Sequence, residues 1–235
     1  MLLALQLGKY SYNLPVRISV IIPVFNEKNH ITEIIEAVEA VPLEKEIIVV
    51  DDCSSDGTRN ILASRKGIKT ILHDRNLGKG AAIRSGLSLV AGDYVIIQDA
   101  DLEYSPQEYV KLVKPIEKGA TRVVYGSRIL GKGDFLKSSY VANRVLTLLT
   151  NLLFHSHLTD METCYKLLET KLLRSFNLTS SRFEIEPEIT CKILRGREHI
   201  VEIPISYKGR TKGKKIGPKD GIQAIWNLLK WKWVR

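Results

Sequence analysis

The chain has 235 residues, of which 44% are hydrophobic and 26% are charged. This length and composition suit one α/β domain with a sizeable core, and they exclude a low-complexity or repeat protein. The three cysteines are far apart and odd in number, which excludes both a disulfide framework and a zinc pattern and predicts a reducing, cytoplasmic setting. The longest nearly apolar run, 145–154, is too short to span a bilayer.

The positive charge is concentrated at the end of the chain. Residues 206–235 carry nine Lys or Arg and one acid, which gives +8; subtracting this from the total of +9 leaves +1 for residues 1–205. A basic segment attached to a nearly neutral body predicts a local anionic partner.

Strands and helices are predicted to alternate through the first half of the chain. Residues 17–24 form a continuous apolar run, typical of a strand buried on both faces. One apolar helix face follows, made of Ile31, Ile34, Ile35 and Val38. The next predicted elements are a strand at 46–50, a short helix from Thr58, a strand at 68–72, a helix at 81–90 and a strand at 94–98. This alternation predicts a mostly parallel, doubly wound sheet flanked by helices, with ligands beyond the carboxyl ends of its strands.

Acids follow three of these strands. Glu27 comes shortly after the first, the pair at 51–52 follows the second, and the segment QDADLE (98–103) ends the strand at 94–98. Carboxylates gathered on one edge of a sheet repel one another unless a cation lies among them. The pattern therefore predicts a site for a cation at this edge of the sheet. It also disfavours the alternative of a nucleic-acid reader, since the acids alone would repel its phosphates.

Seven motifs, taken together, resemble glycosyltransferase family 2, whose members have the GT-A fold. The motifs are IPVFNE (22–27), VVDDCSSDGT (49–58), NLGKGAAIRSG (76–86), DAD (99–101), GSR (126–128), DMETCYK (160–166) and YKGRTKGKKI (207–216). The last two resemble the branch that makes dolichyl- or polyprenyl-phosphate sugars. The resemblance implies an N-terminal extension at 1–16, a GT-A catalytic domain at 17–205, and a basic loop with an amphipathic helix at 206–235.

The activity implied by this resemblance is transfer of a hexose from GDP-mannose or UDP-glucose to polyprenyl or dolichyl phosphate, with inversion at the anomeric carbon. The alternative is a family 2 enzyme acting on a sugar hydroxyl of a cell-surface polysaccharide. In either case Mg²⁺ or Mn²⁺ would neutralise the departing diphosphate. Asp101 and Glu103 are two apart and would point to the same side of an extended chain, which makes them the expected direct ligands, with Asp99 in the metal shell or on the ribose.

The resemblance also implies a nucleotide-sugar site. Pro23 and Phe25 would shape an apolar slot for the base, while Asp52 would accept a hydrogen bond from a base imide of either uracil or guanine. Glu27 would accept from the ribose or support the following helix. The residues expected to bind the nucleotide sugar are Pro23, Phe25, Glu27, Asp52, Asp99, Ala100, Arg210 and Lys215. In the 76–86 motif, packing glycines with one helpful lysine are favoured over a phosphate-binding nest.

Acceptor binding is expected at Arg128 and Arg144, because a guanidinium matches a phosphate monoester; for Arg144 a solvated helix face is an equal alternative. Arg210 and Lys215 would close over the diphosphate or attract lipid headgroups. The role of Asp160 depends on the acceptor. A sugar hydroxyl would need it as the general base, whereas a lipid phosphate is already an anion, and Asp160 would then orient basic groups or the sugar.

A peripheral position at the inner face of the membrane is expected from the end of the chain. Trp226, Trp231 and Trp233 interleave with Lys230, Lys232 and Arg235, which suits a helix lying on anionic lipid. A second apolar stripe, at Leu146, Leu149, Leu153 and Phe154, could add to this face, although burial in the core is its commoner fate.

Overall fold

The computed structural model describes residues 16–210 and 218–233, as one mixed sheet with helices on both faces. The strands are β1 (Ile18–Val24), β2 (Lys45–Asp51), β3 (Lys69–Leu72), β4 (Tyr94–Ile97), β5 (Val123–Ser127), β6 (Lys166–Glu169) and β7 (Ile200–Pro204). The helices are α1 (Ile31–Glu39), α2 (Thr58–Ser64), α3 (Lys79–Leu87), α4 (Tyr109–Leu112), α5 (Lys114–Glu117), α6 (Lys137–Phe154), α7 (Thr170–Ser175), α8 (Ile185–Arg195) and α9 (Pro218–Trp233). A short 3-10 turn, Pro106–Glu108, precedes α4.

The strand order is β3-β2-β1-β4-β6-β5-β7, and β6 alone among these seven runs against its neighbours. The central strand β1 pairs in parallel with β2 and with β4, with Val24 opposite Asp51 and Ile21 opposite Ile97. The prediction of a mostly parallel sheet flanked by helices is therefore confirmed.

The main core lies on both faces of this sheet. Val20, Ile21 and Ile22 of β1 are fully buried, as expected for a central strand covered on both faces. The predicted apolar face of α1 is also confirmed, because its Ile31, Ile34, Ile35 and Val38 are all buried.

A second, smaller core joins α6, α8 and α9. Its buried members are Leu146, Leu158, Met161, Cys191, Ala224, Leu228 and Trp231, and Leu149, Leu153 and Phe154 pack against them. The stripe at 146–154 therefore faces the protein interior. Trp231 is also interior, which corrects its assignment to a lipid-facing helix surface. In the part of the chain that the structure describes, no helix combines the length and apolarity needed to cross a bilayer.

The segment after β7 packs against the rest of the sheet. Tyr207 lies in the main core and bridges to Tyr104, and Lys208 bridges to Asp134. Residues 206–210, which were expected to belong to the terminal basic segment, thus pack against the main body of the protein.

Close backbone contact fixes the start of α3. A Cβ on Gly80 would lie 2.4 Å from the carbonyl oxygen of Ser180. The loop that carries this oxygen cannot easily move, because the carboxylate of Glu188 accepts hydrogen bonds from the backbone of Thr179 (2.9 Å) and Ser180 (2.7 Å). The glycine therefore serves packing, as predicted.

Replacing Gly80 by Ala should lower the free energy of unfolding by about 1–3 kcal/mol, because the added methyl meets backbone that is held in place. Gly221 is the matched control, since it lies inside α9 with nothing within 4 Å of a Cβ. Gly221→Ala should instead stabilise by about 1 kcal/mol through helix propensity. Urea denaturation of both variants checks the prediction, and equal effects at the two positions would contradict it.

Candidate active site

One edge of the sheet gathers the predicted site. The parallel pairings place the carboxyl ends of β1, β2 and β4 together, and β5 and β7 point the same way because β6 reverses between β4 and β5. Because β6 is antiparallel to β4, it begins at this edge, and the segment that precedes it, which contains Asp160, lies here as well. Glu27, Asp52, Asp101, Arg128 and Asp160 therefore lie along one rim, as the strand-end argument predicts.

The acidic loop after β4 is a turn. β4 ends at Ile97, and Leu102 has a φ of 61°, in the left-handed region that non-glycine residues rarely adopt. Asp101 and Glu103 therefore do not lie on one side of an extended strand, and that prediction is wrong. The two carboxylates nevertheless converge, because the turn brings both of them to Arg210.

Arg210 places its guanidinium among three carboxylates of the rim. Its Nη2 lies 3.1 Å from Oε1 of Glu27 and 3.4 Å from Oδ2 of Asp101. Its Nε is 3.9 Å from Oε1 of Glu103, and the same oxygen accepts the Arg210 backbone N–H at 2.7 Å. Arg210 thus supplies the cation that clustered acids require.

The charge of the cluster is only partly compensated by this arginine. Burial, together with the neighbouring Asp99 and Glu103 carboxylates, raises the pKa of Asp101 to about 7, against the opposing effect of Arg210. Both burial and the neighbouring negative charge disfavour the ionised form of Asp101. A divalent cation would favour that form.

Asp99 belongs to a different, more buried ion network. Its Oδ1 lies 2.7 Å from Nζ of Lys79, which is also 3.1 Å from Oε1 of Glu186. Burial opposes ionisation of Asp99, but the Lys79 charge holds its pKa below the ordinary value. Lys166, which is fully buried, closes the network at 2.6 Å from Oε2 of Glu186.

Sequence reasoning underestimated this network. From the sequence, the loop at 76–86 was expected to contribute one lysine. No motif indicated Glu186, which lies 107 positions beyond Lys79. In the structure Glu186 is one of the buried residues of α8. Glu162 was missed as well: burial raises its pKa to about 7, and its Oε1 has no hydrogen-bond partner among the described residues.

The neighbouring residues Asp51 and Asp52 bind different partners. Asp51 accepts a hydrogen bond from Nε of Arg59 at 2.7 Å, a contact that holds α2 to the end of β2. Asp52 accepts from the backbone N–H of Leu77 (2.8 Å) and of Gly78 (2.7 Å), and its Oδ1 is 2.8 Å from Nδ1 of His73. The structure thus gives Asp52 a loop-holding role that the sequence did not predict, and base recognition by Asp52 stays a prediction.

The expected nucleotide slot lies along the same rim. Pro23 is the penultimate residue of β1, opposite Val50 of β2, and Phe25 follows the strand. Both are half-buried, whereas Ala100, in the acidic loop, is buried. Glu27 is also buried and is bound by His30 and Arg210. Lys215 lies outside the described residues.

Arg128 and Asp160 form a buried, bidentate pair. Nε of Arg128 donates to Oδ2 of Asp160 and Nη2 donates to Oδ1, both at 2.7 Å. The backbone N–H of Arg128 and the side-chain amide of Asn143 donate to the same carboxylate at 2.9 Å. Asp160 is 0% exposed.

This pairing corrects two expectations. Asp160 does not fit the general-base role, because it is fully buried and accepts four hydrogen bonds, two of them from a guanidinium. Arg128 cannot offer its Nε–Nη2 fork to a phosphate, since Asp160 occupies that fork. A phosphate would have to approach Arg128 through Nη1.

Three aromatic rings surround the Arg128 guanidinium. Its Cζ lies 5.8, 5.3 and 5.1 Å from the ring centroids of Tyr104, Phe135 and Tyr207, respectively. The phenol of Tyr207 also donates to Glu103 at 2.7 Å. The aromatic residues therefore connect the Arg128 centre to the acidic loop.

Arg144 does not join this centre through any described contact. It is exposed on α6, next to Asn143, whose side chain does reach Asp160. The solvated helix face, which was the alternative for Arg144, fits the structure better than acceptor binding. Asn143 is the α6 residue that sequence reasoning missed.

The fit of a divalent ion rests on the acidic loop. Within 16–210 and 218–233, no three side chains are already gathered as a metal site. The donor set of Asp101 and Glu103 is nonetheless made of oxygen atoms, which Mg²⁺ and Mn²⁺ prefer. Burial and the neighbouring carboxylates of Asp99 and Glu103 raise the pKa of Asp101 to about 7, and a bound cation would oppose both effects. The residues therefore fit a metal, provided that Arg210 withdraws.

Comparisons with known proteins agree with this architecture. Glucosyl-3-phosphoglycerate synthase from Mycobacterium tuberculosis, in complex with Mn²⁺, UDP and phosphoglyceric acid, superposes with a TM-score of 0.72 at 21% identity, covering 94% of this chain and 80% of that one. A complex of that enzyme with Mn²⁺, UDP-glucose and phosphoglyceric acid gives 0.73 at 19% identity, covering 94% and 81%. A third complex, with Mg²⁺ and UDP, gives 0.71 at 21% identity, covering 94% and 80%.

At these identities the likeness establishes a shared fold. The family model for glycosyl transferase family 2 matches residues 19–176, which span β1 to α7 and include the acidic loop, Arg128 and Asp160. The chain belongs to glycosyl transferase family 2.

Proposed function

We propose that this protein transfers a hexose from a nucleotide diphosphate sugar, GDP-mannose or UDP-glucose, to a polyprenyl or dolichyl phosphate, with inversion at the anomeric carbon. The observation that carries the proposal is the buried Arg128–Asp160 pair. The candidate base is paired with a guanidinium, which favours an acceptor that brings its own negative charge.

The donor half of the reaction follows from the acidic rim. Asp101 and Glu103, with Asp99 nearby, would hold Mg²⁺ or Mn²⁺, and the ion would neutralise charge on the departing diphosphate. The solved structures bound to Mn²⁺ with UDP-glucose and to Mg²⁺ with UDP support this assignment. Glu27 and Asp52, at the ends of β1 and β2, would receive the nucleoside.

The acceptor half follows from the chemistry of a phosphate monoester. Its second pKa is about 6, so at neutral pH an oxygen is already anionic and needs no base. That oxygen attacks the anomeric carbon, the bond from this carbon to the β-phosphate oxygen breaks, and the nucleoside diphosphate leaves. Arg128, held in one orientation by Asp160 and three aromatic rings, would attract the acceptor phosphate through Nη1.

One second candidate has an observation in its favour. The solved relatives are glucosyl-3-phosphoglycerate synthases bound to phosphoglyceric acid, a small phosphorylated acceptor. A small phosphorylated acid is therefore the alternative acceptor class. Its nucleophile would be a hydroxyl, and the state of Asp160 disfavours this hydroxyl as it does that of a neutral sugar. The exposed apolar side chains of α6 and α9 favour the lipid.

The test is a radiolabelled transfer assay with four acceptors: a short polyprenyl phosphate, the corresponding alcohol, 3-phosphoglycerate and a free sugar. We expect transfer to the polyprenyl phosphate alone, and only with Mg²⁺ or Mn²⁺ present. Transfer to phosphoglycerate without transfer to the lipid phosphate would support the second candidate. Transfer to the alcohol or sugar would overturn the proposal.

Arg210 should compete with metal in the nucleotide-free protein. Arg210→Ala should tighten Mn²⁺ binding several-fold, because the guanidinium no longer neutralises Asp101 and Glu103. The same change should lower transfer, since a cation near the leaving group is lost. Lys208→Ala removes the same charge two residues earlier and is the matched control.

Calorimetric titration with Mn²⁺ and an initial-rate assay measure the two effects. Unchanged Mn²⁺ affinity in Arg210→Ala would show that the arginine does not occupy the ion's position. If Lys208→Ala has an equal effect, the change in Mn²⁺ affinity comes from the lost positive charge in general and not from the position of Arg210.

A further inference from the structure

Helix α6 exposes an apolar stripe on the side that faces away from the protein interior. Val141, Val145, Leu148 and Leu152 are spaced four, three and four residues apart, so they lie on one face of the helix. Leu148 and Leu152 are 60% and 67% exposed. The inward face of the same helix carries Asn143 and Leu146, which are buried.

Helix α9 repeats this arrangement beside α6. Trp226, Leu229 and Trp233 are exposed, with Trp226 at 69% and Trp233 at 78%, whereas Leu228 and Trp231 are buried in the second core. The two helices pack together, and Nζ of Lys232 donates to the carbonyl of Leu153 near their ends. We call the seven exposed residues the α6–α9 surface: Val141, Val145, Leu148, Leu152, Trp226, Leu229 and Trp233.

The concentration of apolar groups here is unusual for the molecule. Of thirteen exposed large hydrophobic residues in the described ranges, nine lie on α6 or α9, including Tyr140 and Ile225 beside the surface. Single exposed apolar residues need no explanation, but a cluster on adjacent helices marks an interaction site.

The net charge of α6 and α9 indicates which kind of partner the α6–α9 surface binds. By sequence the two helices carry five basic residues and one acid, Asp220, which gives a net charge of +4; the basic residues are Lys137, Arg144, Lys219, Lys230 and Lys232. A second copy of this surface would bring like charges together, whereas an anionic bilayer supplies both apolar depth and negative headgroups. Exposed tryptophans with lysines alongside also suit the headgroup boundary.

We propose that the α6–α9 surface lies in the headgroup boundary of an anionic bilayer. This inference deepens the proposed function and rests on it for the acceptor. The inward side of α6 holds Asn143 on Asp160, so docking through its outward side would place the Arg128–Asp160 centre one helix away from the lipid. A polyprenyl phosphate could then remain in the bilayer while its phosphate reaches the site.

The test uses the full chain and vesicles of phosphatidylcholine with 30% phosphatidylserine. The variants are Leu148→Ser with Leu152→Ser, and Trp226→Ser with Trp233→Ser; all four side chains are exposed, so folding should be retained. Each pair should weaken vesicle partitioning tenfold or more. Leu89→Ser, at an exposed leucine outside the surface, is the control and should have no effect.

Brominated acyl chains should quench the tryptophan fluorescence of the parent protein, and the quenching should be lost in the leucine pair. Unchanged partitioning in both pairs would overturn the inference. So would a dimer, measured by light scattering, that the same variants dissociate without any quenching by brominated lipid.

The transfer assay separates this inference from the proposed function. Transfer to a short, water-soluble polyprenyl phosphate should be unchanged in the surface variants, while transfer to a long polyprenyl phosphate in vesicles should fall tenfold or more. Lost vesicle binding with no transfer to either lipid phosphate would leave the inference standing and overturn the function. If the surface variants bind vesicles as the parent does and still transfer sugar to the lipid phosphates, the inference is overturned and the proposed function stands.

Discussion

Asp101→Asn should reduce sugar transfer about a hundredfold or more while making the metal-free protein more stable above pH 7. The loss of transfer is expected because a carboxylate ligand of the proposed metal is removed, and with it the charge stabilisation of the leaving diphosphate. The gain in stability follows from the environment of Asp101. Burial and the carboxylates of Asp99 and Glu103 raise the pKa of Asp101 to about 7.

The sign of the pH dependence is fixed by this shift. The pKa of an Asp in an unfolded chain is about 3.9, so between about pH 4 and 7 the folded state binds the Asp101 proton more tightly than the unfolded state. The free energy of unfolding of the parent therefore falls as pH rises through this window. Asn has no proton to lose, so the variant should exceed the parent by about 1–3 kcal/mol at pH 8 and match it near pH 4.

Urea denaturation in EDTA at pH 4 and pH 8, with the transfer assay alongside, measures both effects. Asp93→Asn, at an exposed aspartate at the start of β4, is the control and should change neither quantity. A variant that keeps its activity would remove Asp101 from the metal site. A variant that is less stable than the parent at pH 8 would contradict the raised pKa of Asp101.

Breaking the Arg128–Asp160 pair should have the largest effect on stability. Arg128→Ala and Asp160→Ala should each cost about 3–5 kcal/mol, because each leaves a buried charge without its partner. The double variant should cost less than the sum of the two, by about 2 kcal/mol or more, since neither charge then remains. The exposed Arg122–Glu198 pair is the matched control, and Arg122→Ala should cost less than about 1 kcal/mol.

Urea denaturation of the four variants measures these differences. Additive single variants would mean that the two side chains act independently. Arg128→Lys adds a functional measurement, because lysine keeps the charge but cannot bridge the carboxylate. It should raise the KM for the acceptor and leave the KM for the nucleotide sugar nearly unchanged.

The fold was predictable because its elements have strong local signals. The apolar run of β1 and the four-residue face of α1 need no tertiary information, and their alternation is enough to predict a parallel sheet. The reversed strand β6 was not predictable in the same way, because a four-residue strand has no pattern that reveals its direction.

The site was predictable only as far as strand ends determine position. Acids that follow parallel strands must meet on one rim, and Glu27 and Asp101 do so through Arg210. What each side chain contacts there depends on partners far away in sequence. Asp160 pairs with a residue 32 positions earlier, and this pairing disfavours the base role that its motif left open.

The position of β6 also determines the order in which the sheet can be completed. Residues 18–97 contain β1 to β4, which pair with one another, but the free edge of β4 waits for β6, whose pairing residues lie about 70 positions later. β5 has no path to the first four strands except through β6. A ribosome that has released only the first 150 residues would therefore expose the edge of Tyr94–Ile97, an apolar strand able to pair with other chains. Slow translation between β4 and β6 should favour aggregation, and chaperones that shield strand edges should raise the yield of folded protein.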